Sequence, residues 1–516
     1  MFVSRLSRRL KASSASVRRQ STVAAGAGST RRLAVPLASF VAGGATLYLA
    51  NGQADQKKPK TPPLGTVSGP TTTATPSSTT STSTSTTTTP PNLNPASGYP
   101  FPYLSPPSPA QVTARLNETT WSVDTPAVSG VSSYHGSQLP SNGPCEDAFV
   151  HGTLPSPLDP SAKPWMLWGV FDGHLGSQTS LALSQYLPSY VHHHLTSLAP
   201  SSEPASLSSA IHAAIKKAFL ALDSTFIDHA QDIVADPTLT FSQKVTRLTT
   251  GTNGSCALLS LYDPATRSLH VACTGDSRAV LGIQSADPTS PEAKYDTIPL
   301  SVDQSGSSAT EEARIRALHP DEPDVVARNR VLGLACSRSF GDGYWKWPLE
   351  FQADVRARFL TNTLRPHTAE RYKTPPYITA EPEVTTTELK LKQGQRAFMI
   401  MASDGLWDTM SSEQAVELVG RWVDARAKGK WTQALKADKG EAAAAPEVKD
   451  WKDYYSTGYK VTKESYTVQD GNAAVHLTRN ALGGKNQDLV SALLSFKPPY
   501  SRYARDDITV QVVFFE

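Results

Sequence analysis

The chain has 516 residues, with 49 Lys or Arg against 46 Asp or Glu and a formal charge of +3. Eight of the basic residues lie within residues 1–32, which hold no acid, so the remaining body carries 41 basic and 46 acidic residues. A mildly acidic body argues against a nucleic-acid binder. Four cysteines without paired spacing (Cys145, Cys256, Cys273 and Cys336) argue against a disulfide framework or a zinc module and fit a reducing compartment.

From Met1 to Gln20, Arg5, Arg8, Arg9, Lys11, Arg18 and Arg19 recur with Phe2, Leu6 and Leu10 at helical spacing. Residues 1–32 therefore read as a mitochondrial presequence, with a disordered basic tail as the alternative. Leu33 to Ala50 is an uncharged run of 18 residues, the lower limit for a membrane-spanning helix. It is expected to be an inner-membrane span; a removed sorting segment is the competing reading. From about Thr61 to Pro100 the chain is almost wholly Thr, Ser and Pro, too poor in apolar surface to offset the entropy of folding, and residues 51–100 read as a disordered tether rather than a glycosylated stalk.

Globular composition begins near Phe101. Glu146 and Asp147 stand at the entrance to an alternating segment, where adjacent side chains point to opposite faces, so only one can face a given site directly. A solvated surface pair is the plain alternative. Trp165 to Phe171 is a tight apolar run between Pro164 and Gly173, the pattern of a buried strand, and Asp172-Gly173-His174 forms its lip. Gly173 lets the backbone bring its own carbonyl close to whatever the two side chains hold. Leu181, Leu187 and Val191 suggest a helix. A second, from Ser206 to Ala230, carries Ile211, Ile215, Phe219, Leu222 and Phe226 at three- and four-residue steps. His192 to His194 resemble a metal tract, but consecutive helical positions diverge, so a solvated helix end is expected.

Gly251 to Ser255 reads as a turn before a strand at Cys256 to Tyr262, whose hairpin partner is Ser268 to Cys273. Asp276 then stands in a turn before Ala279 to Gly282. The apolar strand Ala397 to Ala402 stops at Asp404, with Asp408 just beyond and a helix start at Ser411 to Glu413. Asp506 and Asp507 precede the terminal strand Ile508 to Phe515. Four Asp-bearing turns at strand ends, if they converge, make an oxygen-rich pocket. Packed carboxylates raise one another's pKa unless cations neutralise them. Oxygen-only ligation selects Mg²⁺ or Mn²⁺ over Zn²⁺, and two such ions about 3.5–4 Å apart suit in-line displacement at phosphorus.

Six motifs occur in one order: Glu146-Asp147, Val170 to His174, Thr274 to Arg278, Ser337 to Asp342, Ala402 to Asp408 and Arg505 to Val510. As a set, over residues 110–516, they closely resemble the metal-dependent type 2C (PPM) Ser/Thr protein phosphatases. Ser141 to Asp147, Ala317 to Pro320, Arg330 to Leu334, Tyr344 to Trp347 and Asn472 to Leu482 add a likeness to the pyruvate dehydrogenase phosphatase subfamily.

The resemblance implies an α+β fold, a four-layer α-β-β-α sandwich of two antiparallel sheets with the metals at one end, formed by residues 101–516. It implies that Asp172 bridges two Mg²⁺ or Mn²⁺ ions and that the Gly173 carbonyl serves one of them. Asp404 and Asp506 would serve the other, with Glu146 and Asp147 beside it. Asp276 and Asp408 match a third, weaker metal site, and His174 the general acid. Asp507 stands where many relatives carry Asn, so Asp506 is the expected ligand and Asp507 its support. The phosphate-binding Arg that most of the family places four residues before the Glu is Asn142 here, with Arg338 as a substitute or, equally, an ion-pair partner of Asp342.

The implied activity is one-step hydrolysis of phosphoserine or phosphothreonine by a water bridging the metals, on the pyruvate dehydrogenase E1 subunit. A mitochondrial phosphatase with another protein substrate is the first alternative. A catalytically dead, membrane-tethered binding module is the second. The location expected is the mitochondrion, inner-membrane anchored or matrix. Segments near 284–310, 350–375 and 425–470 read as insertions. The last, with Ala442 to Ala445 and the aromatic residues Trp451, Tyr454, Tyr455 and Tyr459, is a candidate for substrate docking.

Overall fold

The computed structural model describes residues 106–125, 130–198, 203–285, 294–359, 367–427 and 459–516. The presequence, the apolar run at 33–50, the tether and most of the 425–470 segment lie outside these. Among the described residues no helix is long and apolar enough to cross a membrane.

Two antiparallel sheets face each other. The first has six strands in the order β1 (Thr120–Asp124), β2 (Val131–Leu139), β16 (Ile508–Phe515), β15 (Ala397–Ala402), β9 (Arg278–Gln284) and β10 (Tyr295–Pro299). The second has five, β14 (Glu383–Glu388), β8 (Ser268–Thr274), β7 (Ala257–Asp263), β4 (Trp165–Phe171) and β3 (Ala148–Leu154). Between them Trp168, Val170, Leu258, Val271, Leu281, Met399, Met401 and Val513 form one buried cluster. The opposite faces are covered as well. Helices Gln178–Thr196 and Pro204–Ile227 bury Leu183, Leu187, Ile215 and Phe219 on the second sheet. Helices Ser412–Ala427, Ala473–Ala481 and Gln487–Ser495 do the same on the first. Four layers follow, as the resemblance implied, because the central strands, such as β4, β7 and β15, are buried on both faces and must be covered twice.

Antiparallel pairing sets the chemistry at one end. Ala148 sits opposite Phe171, so Asp147 and Asp172 flank the same lip. Ala257 sits opposite Thr274, and Ala402 opposite both Arg278 and Val510, which brings Asp276, Asp404 and Asp506 to that lip too. A three-stranded ribbon, β13 (Phe340–Gly341), β6 (Gly254–Ser255) and β5 (Gly173–His174), caps it. The hairpin β11 (Val326–Ala327) and β12 (Arg330–Val331) stands at its side.

Three local expectations are corrected. The turn at Gly251 to Ser255 is the last turn of a helix, Phe241–Thr252, running straight into β6. That helix is started by a capping box between Thr240 and Gln243. The helix expected from Ser206 to Ala230 ends at Ile227, and a second begins at His229. The segment at 284–310 is not wholly irregular, since β10 pairs with β9 as an edge strand. The His192 to His194 tract does lie at a helix end, with His193 exposed, as expected.

Candidate metal centre

Carboxylate oxygens of Asp172, Asp276 and Asp404 lie within 4.8 Å of one another. Each leaves a different strand end: Asp172 follows β4, Asp276 follows β8, and Asp404 opens the short helix Asp404–Trp407 after β15. The Asp404 N–H donates to Asp172 Oδ2 at 3.4 Å, and the Cys256 N–H to the Asp172 carbonyl at 2.8 Å. Burial, then the charge of Asp404, pushes the Asp172 carboxyl well above the usual carboxylate range. Burial and the charge of Asp506 do the same to Asp404. Burial also raises Asp506, with Arg502 opposing it through an ion pair. A buried oxygen-only set of this kind is neutralised by protons or by hard cations. The residues thus fit divalent cations, with Asp172, Asp276, Asp404 and Asp506 as the side chains that would hold them.

Asp147 sits behind the set, its Oδ2 accepting from the Ser403 and Thr509 hydroxyls at 2.8 and 2.7 Å. Glu146 turns away: its Oε1 accepts from the Gly176 N–H at 2.6 Å and its Oε2 from the Asn142 amide at 2.8 Å. Gly173 is required by crowding rather than by a turn, because a Cβ there would lie 2.2 Å from the Glu146 carbonyl oxygen. Asp507 accepts from the N–H groups of Ser141, Asn142 and Glu146 and so holds this loop in place. Asp408, paired in expectation with Asp276, stays outside the three-carboxylate group; its carbonyl accepts from Lys460 Nζ and burial raises its carboxyl.

His174 Nε2 lies 2.8 Å from Asp342 Oδ2, which also accepts from the Ser339 hydroxyl at 2.6 Å. Burial pushes the imidazole down, but the charge and hydrogen bond of the fully buried Asp342 outweigh it, and its pKa rises to about 10. Asp342 thus favours the imidazolium form of His174. Asp342 takes a left-handed backbone (φ 51°), a conformation Asp tolerates better than most residues. Gly254 lies against the pair: a Cβ there would sit 2.1 Å from His174 Nε2.

The two expected phosphate ligands are not brought to the carboxylates. Asn142 donates its amide to Glu146 and, at 3.2 Å, to Asp507. Arg338 pairs with Glu311 at 2.7 Å and Glu383 at 3.0 Å, not with Asp342, because a carboxylate as buried as Glu311 needs a cation beside it. Instead Arg502, from the 3₁₀ turn Tyr500–Tyr503, lines a cavity of about 750 Å³ together with the four aspartates. Sequence reasoning passed over Arg502 and Gly254, and gave Asp342 as a partner for Arg338 rather than for His174. The spacing of Arg502 four residues before Asp506 was the one signal for it.

A family model described as Protein phosphatase 2C matches residues 142–450. The chain belongs to the protein phosphatase 2C family. As a member of that metal-dependent family it is a protein Ser/Thr phosphatase by class. A protein phosphatase 2C homolog of Schizosaccharomyces pombe is 39% identical over 412 residues, covering 78% of this chain and 85% of the relative. The mitochondrial pyruvate dehydrogenase (acetyl-transferring) phosphatase 1 of Saccharomyces cerevisiae is 35% identical over 436 residues, 79% of this chain and 72% of the relative. Its Homo sapiens namesake is 29% identical over 482 residues, 80% and 83%. A crystal structure of the serine-threonine phosphatase 2C of Toxoplasma gondii covers 77% of this chain and 99% of its own, with a TM-score of 0.42 and 18% identity.

Proposed function

We propose that this protein phosphatase 2C member removes phosphate from phosphoserine or phosphothreonine of a mitochondrial protein, the E1 subunit of the pyruvate dehydrogenase complex. The meeting of Asp172, Asp276 and Asp404 beside the His174–Asp342 pair carries the catalytic part of this reading. The substrate part is supported by the relatives from yeast and human and by the basic, acid-free first 32 residues. A dehydrogenase substrate calls for the matrix, with the apolar run at 33–50 as the candidate membrane anchor.

Divalent ions held by the aspartates would lower the pKa of a water they share and screen the phosphoryl charge. Arg502, half exposed on the cavity wall, adds the positive charge for phosphate that Asn142 lacks. His174, kept protonated by Asp342, gives its proton to the departing Ser or Thr oxygen. Proton donation by a placed side chain is worth about 10²–10⁴-fold.

Phosphate release from ³²P-labelled E1 by the full chain, with Mg²⁺ or Mn²⁺ and again with chelator, tests both parts. Metal-dependent release from E1 is expected. Release from a generic phosphopeptide but not from E1 would remove the substrate and leave the reaction. Protease protection in isolated mitochondria reads the compartment.

A further inference from the structure

A second group of ligand atoms shares one wall of the cavity. His174 Nε or Nδ, the Cys336 sulfur and an Asp342 oxygen lie within 4.8 Å of one another. Cys336 and Asp342 are 4% and 0% exposed, while His174 opens to the cavity. Asp342 Oδ1 is buried without a hydrogen-bond partner. The Gly254 backbone packs closely against the pair, so any entry is from the cavity side.

We propose that His174, Cys336 and Asp342 form an inhibitory site for Zn²⁺, separate from the oxygen-only centre of Asp172, Asp276 and Asp404. One imidazole, one thiolate and one carboxylate are the ligand types that Zn²⁺ takes in tetrahedral geometry, and the thiolate selects against Mg²⁺. Bonds of about 2.0–2.3 Å in tetrahedral geometry set ligand atoms roughly 3.3–3.8 Å apart, so the Cys336 sulfur, within 4.8 Å of the pair, is in range, and His174 Nε2 and Asp342 Oδ2, now 2.8 Å apart, part slightly as the ion enters. The fourth position faces the cavity, open to water. On binding, the Cys336 thiol loses its proton and His174 gives up the one it shares with Asp342, so both pass to solvent as the metal bonds form. His174 is then a metal-bound neutral imidazole, and its remaining N–H is too weak an acid to protonate a departing alkoxide. Ion binding itself needs no part of the proposed reaction; the inhibition rests on the acid role of His174.

The test uses the full chain in saturating Mg²⁺ with a non-thiol reductant, which keeps the neighbouring Cys256 from oxidising with Cys336. Co²⁺ is titrated as a visible stand-in for Zn²⁺. One equivalent is expected to produce thiolate-to-cobalt charge-transfer absorption, lost on adding Zn²⁺, with phosphatase activity falling in step. Raising Mg²⁺ tenfold should not restore activity. Cys336→Ala, and the near-isosteric Cys336→Ser, should lose the band and weaken Zn²⁺ inhibition by about 10–100-fold. Absence of the band in the unaltered chain, its persistence in either variant, or inhibition relieved by Mg²⁺ would each overturn the site. A band with undiminished activity would overturn the inhibition and the acid role of His174 together.

Discussion

Gly254 has no room for even a methyl group, since the added carbon would lie 2.1 Å from His174 Nε2 and 2.4 Å from Asp342 Oδ2. Gly254→Ala is thus expected to part the two side chains while leaving the carboxylates in place. A fall in kcat of about 10²-fold, with Mn²⁺ affinity by calorimetry unchanged, is the expected outcome; unchanged kcat would count against His174 as the acid. Arg502→Ala should raise KM for a phosphopeptide about tenfold, and Arg502→Lys should recover part of it, since a charge remains without the planar fork. These two residues show where reading the sequence stops. Asp172 and Asp404 are legible because each ends an uninterrupted apolar run, and a carboxylate at such a place needs a reason. Gly254 and Asp342 acquire theirs only when a three-stranded ribbon sets residues 174, 254 and 342 side by side. Arg338 misleads for the same reason. Its guanidinium sits inside a conspicuous motif, but the partners that claim it, Glu311 and Glu383, lie 27 and 45 residues away in the chain.

At the scale of elements, Glu311 fastens helix Ala309–Leu318 to the segment leading into β13. It accepts from Arg338 Nε at 3.0 Å, Arg338 Nη2 at 2.7 Å, Arg314 Nη2 at 2.7 Å and the Ser337 hydroxyl at 2.8 Å. Burial alone would raise its carboxyl, yet these donors win and lower it from 4.5 to about 2. A carboxyl lowered in the folded state stabilises fully above its unfolded value and loses that contribution as pH falls through the folded one. The shift corresponds to about 3 kcal/mol, at roughly 1.4 kcal/mol per unit. Urea unfolding should therefore show stability dropping between about pH 4.5 and 2 more steeply in the native chain than in Glu311→Gln. Equal slopes would remove Glu311 as the fastening. Which elements were legible follows from where their information lies. β4 and β15 are continuous apolar runs buried on both faces, β16 is nearly so with Thr509 and Gln511 buried among its apolar residues, and the bounds of all three match the expected ones. Helix Phe241–Thr252 carries only a short stripe, Phe241, Val245 and Leu248, of which Leu248 alone is buried, so the pattern is easily passed over although the Thr240–Gln243 capping box marks its start. β10 is half-exposed throughout and is fixed by its ladder to β9 rather than by side-chain pattern.

For the molecule as a whole, the fold gathers like charges at one end of an otherwise well-packed sandwich, so its stability is tied to what neutralises them. Burial and the charges of neighbouring aspartates raise Asp172 and Asp404 well above the ordinary range. A carboxyl raised in the folded state costs stability at any pH where it must ionise, and a bound cation reverses that cost. Ions that bind only the folded chain stabilise it by about 2.7 kcal/mol at a free concentration one hundred times Kd. Thermal unfolding of the native chain should move up by several degrees from chelator to excess Mn²⁺. Asp172→Asn removes one charge from the cluster and one ligand from the ions. It should therefore unfold at a higher temperature than the native chain in chelator, at a lower one in Mn²⁺, and respond little to the metal. That crossing separates a metal centre from a merely crowded surface. A variant less stable than the native chain in both conditions, with an unaltered response to Mn²⁺, would mean that Asp172 packs the lip of β4 without holding an ion.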